Sequence, residues 1–159
     1  MTNTIKFTSQ NIGDTDKLAL IITETFKQGA LVCLYGEIGT GKTTFVKLLA
    51  KHIGVKEKVT SPSFVILNEY HSGKLCLYHF DLYRLEKEGI ETISPELLEY
   101  SEKENAFVVI EWAEFSMGTL PDDRVEIFMV YSGETTREIS IDLHGKYKES
   151  HDALAEKLS

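Results

Sequence analysis

The stretch GEIGTGKTT, residues 36–44, decides how the rest of the chain is interpreted. It fits the pattern G-x-x-x-x-G-K-[ST], in which glycines let backbone N–H groups curl around a phosphate. An apolar, strand-like segment, residues 31–35, runs directly into this loop, and a helical segment begins within it. Because a helix N-terminus adds a positive dipole at the same place, the sequence predicts a phosphate-binding loop.

The side chains of this loop have distinct expected roles. Lys42 is expected to reach the outer phosphates of a nucleotide, and the hydroxyl group of Thr43 is expected to ligate Mg²⁺. The residues expected to contact the nucleotide here are Glu37, Ile38, Gly39, Thr40, Gly41, Lys42, Thr43 and Thr44. Most of these contacts are expected through backbone N–H groups, so the identities of several side chains matter little.

A loop of this kind also needs a second acidic residue, at the end of a buried strand, to hold the water shell of the metal. Two segments qualify: LCLYHFD, which ends at Asp81, and VVIE, which ends at Glu111. Glu111 follows four apolar residues without interruption, so we expect it to serve the metal. Asp81 is then expected to orient the attacking water or to support the metal's water shell. Strand alternation places His79 on the same face as Asp81, where we expect a packed histidine.

Hydrophobic patterning predicts four helices. They cover residues 14–29, 43–54, 94–104 and the tail 148–159. Gly29 and Gly54 are expected to stop the first two helices, whereas Ser94 is expected to cap the third, with Pro95 as its first residue.

Strand patterns alternate with these helices. Buried strands are predicted at residues 30–35 and 106–112, and two hairpins are predicted at 64–71 with 75–83 and at 125–131 with 137–145. The expected fold is therefore α/β, with a P-loop NTPase-like mixed sheet, flanking helices and antiparallel hairpins. No linker or repeat interrupts the chain, so residues 1–159 are expected to form a single P-loop ATPase domain.

Composition and charge exclude several classes of function. Hydrophobic residues make up 42% of the chain and no apolar run approaches the roughly 20 residues of a membrane span, so we expect a cytoplasmic protein without membrane contact. The net charge of -8, with only three arginines, argues against a stand-alone nucleic-acid-binding protein. Cys33 and Cys76 lie in apolar segments without CxxC spacing, which predicts buried, reduced thiols.

The choice of nucleotide rests on a missing motif. Guanine-specific loops of this type are accompanied by N-K-x-D, which reads the base, and the sequence does not contain that string; its D-x-x-G match, DLHG at 142–145, falls at the end of a predicted hairpin strand. ATP is therefore the expected nucleotide. Kinases of small metabolites bring several arginines to two sets of phosphates, which makes that class a poor fit to this chain.

Three further stretches follow the loop in order: TSPSF at 60–64, HFDLYRL at 79–85 and IEW at 110–112. Together with GEIGTGKTT they closely resemble the TsaE (YjeE) family of small bacterial ATPases, over about residues 5–143. The resemblance implies slow Mg²⁺-dependent ATP hydrolysis in support of threonylcarbamoyladenosine synthesis in tRNA. It also implies binding to a complex of TsaB and TsaD, with tRNA contacted only indirectly.

Residue roles implied by the resemblance agree with those expected of the loop. Lys42 would contact phosphates, Thr43 and Glu111 would serve Mg²⁺, and Asp81 would be needed for turnover. Thr60 and Ser61 would form a switch-like loop near the outermost phosphate, and the turn from Ser9 to Asn11 would lie against the adenine.

Two other functions remain open at the level of sequence. A nucleotide-gated binding module would act through ATP occupancy rather than hydrolysis. A small-metabolite kinase would transfer phosphate to an acceptor.

Overall fold

A seven-stranded mixed sheet organises the residues that the computed structural model describes, 3–116 and 118–159. Its strands are β1 Ile5–Ser9, β2 Gly29–Tyr35, β3 Leu67–Tyr70, β4 Cys76–Asp81, β5 Ala106–Glu111, β6 Arg124–Tyr131 and β7 Arg137–His144. They lie in the order β1-β7-β6-β2-β5-β4-β3.

The centre of the sheet is parallel and its margins are antiparallel. Strand β2 runs parallel to both β5 and β6, and β4 runs parallel to β5. The pairs β3–β4, β6–β7 and β1–β7 are antiparallel. Since parallel strands end at the same edge, Leu34 and Asp81 both lie beside Glu111, next to the loop that follows β2.

Helices cover both faces of the sheet. They are α1 Ile12–Thr25, α2 Lys42–His52, α3 Leu85–Glu88, α4 Ser94–Ser101 and α5 His151–Leu158, with 3-10 turns at Ile90–Thr92, Ala113–Ser116 and Gly145–Ser150. On one face α1, α2 and α5 bury an apolar cluster that includes Leu18, Phe45 and Leu154. On the other face α3 and α4 pack through Leu85 and Leu97. Within the described ranges, no helix has the length and apolar character needed to cross a bilayer.

The predicted fold class, both hairpins and the C-terminal helix are confirmed. The prediction for Gly29 is wrong: α1 ends at Thr25, and Gly29 is the first residue of β2. A Cβ atom on Gly29 would lie 2.0 Å from the Ala106 carbonyl oxygen, so this glycine permits the close approach of β2 and β5. Gly54, with φ of 85°, does follow the end of α2 as predicted.

Three other predictions need correction. Ser94 lies within α4, and Ile93 occupies the N-cap position because a 3-10 turn leads directly into the helix. The strand predicted at 64–71 shortens to β3, because Val65 and Ile66 donate backbone hydrogen bonds to Pro62 in a turn. Both thiols are free, but only Cys33 is buried, and Cys76 is partly exposed.

Two elements, β1 and α3, were not predicted from the sequence. Strand β1 pairs along the sheet margin with β7, a pairing between distant parts of the chain. The short helix α3 covers only Leu85–Glu88, too few residues for a periodic pattern to identify.

Candidate functional site

The loop between β2 and α2 has the backbone of an anion cradle. Gly39 and Gly41 have φ of 83° and 106°, a left-handed region that glycine adopts without a steric penalty. Gly41 is the N-cap of α2 and receives no side-chain cap, so the first N–H groups of the helix face the loop. The apolar strand β2 delivers the chain to this point at the edge where the parallel strands end.

Lys42 lies inside the loop. Its side chain is buried, and its Nζ atom donates hydrogen bonds to the carbonyl oxygens of Gly36 and Glu37. The ammonium also lies 3.8 Å from the ring centroid of Trp112. Burial lowers the pKa of Lys42 from its ordinary value, an effect that nearby carboxylates, chiefly that of Glu111, oppose.

Glu111 joins the loop to the end of β5. The Thr43 hydroxyl donates to its carboxylate, with distances of 2.8 Å to Oε1 and 3.0 Å to Oε2. His79, fully buried on β4, brings Nε2 to 2.5 Å from Glu111 Oε2. The carboxylate therefore accepts from two sides and is held in one orientation.

Asp81 is the last residue of β4, the strand next to β5, and it contacts different residues from those that Glu111 contacts. Its Oδ2 atom accepts hydrogen bonds from the hydroxyl groups of Ser61 and Ser63, at 3.0 and 3.3 Å. Its Oδ1 atom accepts from the backbone N–H of Tyr83 at 3.0 Å. Asp81 thus connects the segment around Pro62 to the sheet, whereas Glu111 connects the sheet to Thr43.

A cavity of about 340 Å³ opens between these groups. Nine predicted site residues line it: Ile38, Gly39, Gly41, Lys42, Thr43, Thr44, Ser61, Asp81 and Glu111. Glu37 and Thr60 lie outside the lining. Glu37 contributes its carbonyl oxygen to Lys42, and Thr60 is exposed, with its backbone bonded to Tyr70 and Asn68.

Asn11 and Thr40 lie at a second, smaller cavity of about 120 Å³. Gly41 and Thr44 line both cavities, so the two spaces meet at the start of α2. Asn11 is the N-cap of α1, and its side chain accepts a hydrogen bond from Asp14 N–H at 3.0 Å. Ser9 and Asn11 therefore line a cavity that adjoins the loop.

Sequence reasoning missed several residues of the main cavity, namely Ser63, Tyr83 and Trp112. Trp112 stacks on Phe115 with nearly parallel rings, and it both lines the main cavity and packs against the core cluster of the α3–α4 face. The alternation of HFDLY did place His79 and Asp81 on one face. It gave no signal that His79 would contact Glu111, because that contact depends on the pairing of β4 with β5.

The donor set fits a magnesium ion and a polyphosphate. Thr43 and Glu111 offer hydroxyl and carboxylate oxygens side by side, which are the hard ligands that Mg²⁺ prefers. The amide groups of the cradle and the buried ammonium of Lys42 suit the negative charge of phosphates.

Comparison with known proteins gives a consistent family assignment. A family model described as "Threonylcarbamoyl adenosine biosynthesis protein TsaE" matches residues 9–139. The tRNA threonylcarbamoyladenosine biosynthesis protein TsaE of Bacillus subtilis is 36% identical over 155 residues, covering 98% of this chain and 94% of that protein. A protein of the same name from a Nostoc species is 36% identical over 125 residues, covering 78% of this chain and 76% of its own.

Solved structures agree with this assignment. The crystal structure of Bacillus subtilis YdiB superposes with a TM-score of 0.79 at 31% sequence identity, covering 98% of this chain and 97% of that one. The region matched by the family model and the region covered by the superposition both include the loop after β2, the ends of β4 and β5, and the segment around Pro62. This chain belongs to the TsaE family of threonylcarbamoyladenosine biosynthesis proteins.

Proposed function

We propose that this protein binds and slowly hydrolyses ATP, and that it thereby supports threonylcarbamoyladenosine modification of tRNA through a TsaB–TsaD-type complex in the cytoplasm. The observation that carries the proposal is the contact between Thr43 and Glu111 beside the buried Lys42, within a chain of the TsaE family. Membership of that family supports the role in tRNA modification, and the geometry of the site supports the use of ATP.

Each group of the site has a proposed task. Lys42 and the amides of the cradle bind the outer phosphates and stabilise the charge that develops during transfer. Thr43 and Glu111 hold Mg²⁺, which when bound neutralises charge on the outer two phosphate groups. Asp81, fixed by Ser61, orients the attacking water and makes the segment around Pro62 sensitive to the outermost phosphate.

The positions of the arginines support the proposal of slow intrinsic turnover. Arg84 donates to the Phe64 carbonyl and to Glu88, Arg124 donates to the Pro121 carbonyl, and Arg137 donates to carbonyls that include that of Thr40. No arginine is among the residues that line the main cavity in the described part of the chain. A partner protein is therefore proposed to supply or assemble the missing positive group.

The second cavity is the proposed site of the adenine. It adjoins the phosphate cavity at Gly41 and Thr44, as a nucleotide that spans both would require. Ile12 and Met129 supply apolar surface there, and the neighbouring Ser9 and Thr15 carry hydroxyl groups.

The proposal is tested by tRNA modification with purified TsaB-, TsaC- and TsaD-type proteins at saturating ATP, with and without this chain. Lys42→Ala is the control, because it removes the ammonium from the site. Sustained modification with the wild-type protein and none with the variant supports the proposal. No effect from either protein refutes the role in modification, whatever the affinity for ATP.

A nucleotide-gated binding module is the alternative, favoured by the link from Asp81 to Ser61 and Ser63. That link lets occupancy of the cavity alter an exposed segment, in which Phe64 is 88% exposed. A variant that binds ATP without hydrolysing it separates the two functions. Full support of modification by such a variant favours the module.

A further inference from the structure

The hairpin formed by β6 and β7 contacts the outer side of the phosphate-binding loop. The Tyr131 hydroxyl donates a hydrogen bond to the Ile38 carbonyl oxygen, at 3.1 Å. The Nε atom of Arg137 donates to the Thr40 carbonyl oxygen, also at 3.1 Å. The guanidinium lies 4.4 Å from the Tyr131 ring centroid, so the two side chains support each other.

Three other carbonyl groups of the loop have donors within the loop or helix α2. Those of Gly36 and Glu37 accept from Lys42, and that of Gly41 accepts from Phe45 N–H at 2.8 Å. The carbonyls of Ile38 and Thr40 instead use donors from the hairpin, far away in the chain. The hairpin thus holds two peptide units of the loop, those that contain the Ile38 and Thr40 carbonyl groups.

In a trans peptide, a hydrogen bond that fixes the carbonyl group also fixes the direction of the N–H group in the same unit. The C=O and N–H bonds of one peptide unit point in opposite directions. The Ile38 carbonyl shares its unit with the Gly39 N–H, and the Thr40 carbonyl shares its unit with the Gly41 N–H. Pulling both carbonyls outward points both N–H groups toward the other side of the loop, where Gly39 and Gly41 line the main cavity.

We infer that Tyr131 and Arg137 are positioning residues that orient the Gly39 and Gly41 amides toward the phosphates of the nucleotide. The inference rests on the proposed function, since it takes a phosphate group as the ligand of the loop. Among the described residues, neither amide donates a hydrogen bond to a protein acceptor, so both are available to a ligand.

Glycine makes such anchors necessary. Gly39 and Gly41 both have positive φ, and peptide units next to glycine rotate more freely than others. A donor that is already oriented binds its ligand without the entropic cost of ordering. A Cβ atom on Gly39 would lie 2.3 Å from the Tyr131 hydroxyl, so the same position requires glycine for contact with the hairpin.

Tyr131→Phe is the decisive variant, because it removes one donor while it keeps the ring beside Arg137. Tyr131 is 46% exposed, so removal of its hydroxyl group leaves no buried cavity. Val130→Ala, at a 59% exposed neighbour on the same strand, is the matched control. Arg137→Gln and Arg137→Lys form a second pair, in which lysine retains a long cationic donor for the Thr40 carbonyl oxygen.

The experiment combines ¹⁵N-glycine NMR of the nucleotide-free protein with ATP and ADP titrations and steady-state hydrolysis. We expect Tyr131→Phe to shift or broaden the Gly39 amide signal. We also expect it to lower the affinities for ATP and ADP about fivefold, which corresponds to the free energy of one neutral hydrogen bond. The turnover number should fall as well, because the amides of the cradle also stabilise the charge that develops during transfer. Arg137→Gln should perturb the Gly41 signal, and Arg137→Lys should restore it.

The outcomes distinguish the inference from the proposed function. Wild-type Gly39 signals and affinities in Tyr131→Phe overturn the inference, as does an equal loss of affinity in Val130→Ala. Wild-type protein that binds no ATP overturns the proposed function instead, whereas the NMR signals of the free protein still decide whether the hairpin orients the loop.

Discussion

Replacing Glu111 by glutamine should separate metal binding from folding. Glu111 is 2% exposed, and its carboxylate accepts from the Thr43 hydroxyl at 2.8 Å and from His79 Nε2 at 2.5 Å. Glutamine has the same shape, and its amide oxygen can still accept from Thr43. Its NH₂ group would then face His79.

The imidazole can adapt to that change. His79 Nδ1 has no hydrogen-bond partner among the described residues, so the ring can carry its proton there and accept at Nε2. The hydrogen bonds to Thr43 and His79 are thereby kept, but the proton on Nδ1 is buried without an acceptor, so we expect Glu111→Gln to lower the free energy of unfolding by about 1–3 kcal/mol. A cooperative melting curve with a transition moderately below that of the wild type would confirm this.

Glu111→Gln should also weaken the binding of Mg²⁺. Groups that orient a metal's ligands or water typically contribute 10- to 100-fold in affinity, so we expect the Mg²⁺ requirement at fixed ATP to rise by about that factor. Hydrolysis should fall about a hundredfold or more. Binding of ATP without metal should persist, since the variant removes a negative charge that faces the phosphates.

The assay is a Mg²⁺ titration at fixed ATP, followed by phosphate release and by calorimetry. Glu114→Gln is the matched control, because Glu114 is exposed and belongs to the 3-10 turn that follows β5. If Glu111→Gln kept the Mg²⁺ dependence and the turnover of the wild type, Glu111 would not serve the metal, and the role proposed for its carboxylate would be refuted.

Three further predictions concern stability and reactivity. Gly29→Ala should lower the unfolding free energy by at least about 2 kcal/mol, because φ is 93° and its Cβ would lie 2.0 Å from a β5 carbonyl oxygen; urea unfolding measures this. Burial raises the pKa of the Cys33 thiol to about 12, so an aromatic disulfide reagent at pH 8 should label only one thiol until the protein unfolds, and rapid labelling of two would contradict this. Hydrogen bonds from Lys51 and His52 lower the pKa of Asp16 in the folded protein. The charged carboxylate therefore stabilises the fold above the unfolded pKa of 3.8, and this stabilisation is lost as the pH falls through the lower folded pKa. Asp16→Asn should melt at a lower temperature than the wild type at pH 7, and the difference should disappear in acid.

Local sequence was sufficient for the features that depend on neighbouring residues. The segment 36–44 determines a cradle because adjacent glycines, a strand end and a helix start act within one short stretch. Strand ends at Asp81 and Glu111 were predictable from the apolar runs before them. Turns marked both hairpins, although β1 and α3 were missed and the caps predicted at Gly29 and Ser94 were misplaced.

By itself, the sequence predicted a phosphate-binding loop, an α/β sheet and two candidate acids. Tertiary structure decided which acid meets Thr43, a contact 68 residues apart in the chain, and it joined Asp81 to Ser61. It also placed the β6–β7 hairpin against the loop. The physical reason is strand register: a slip of one residue turns a side chain to the opposite face of the sheet, and register is set by pairing between distant strands.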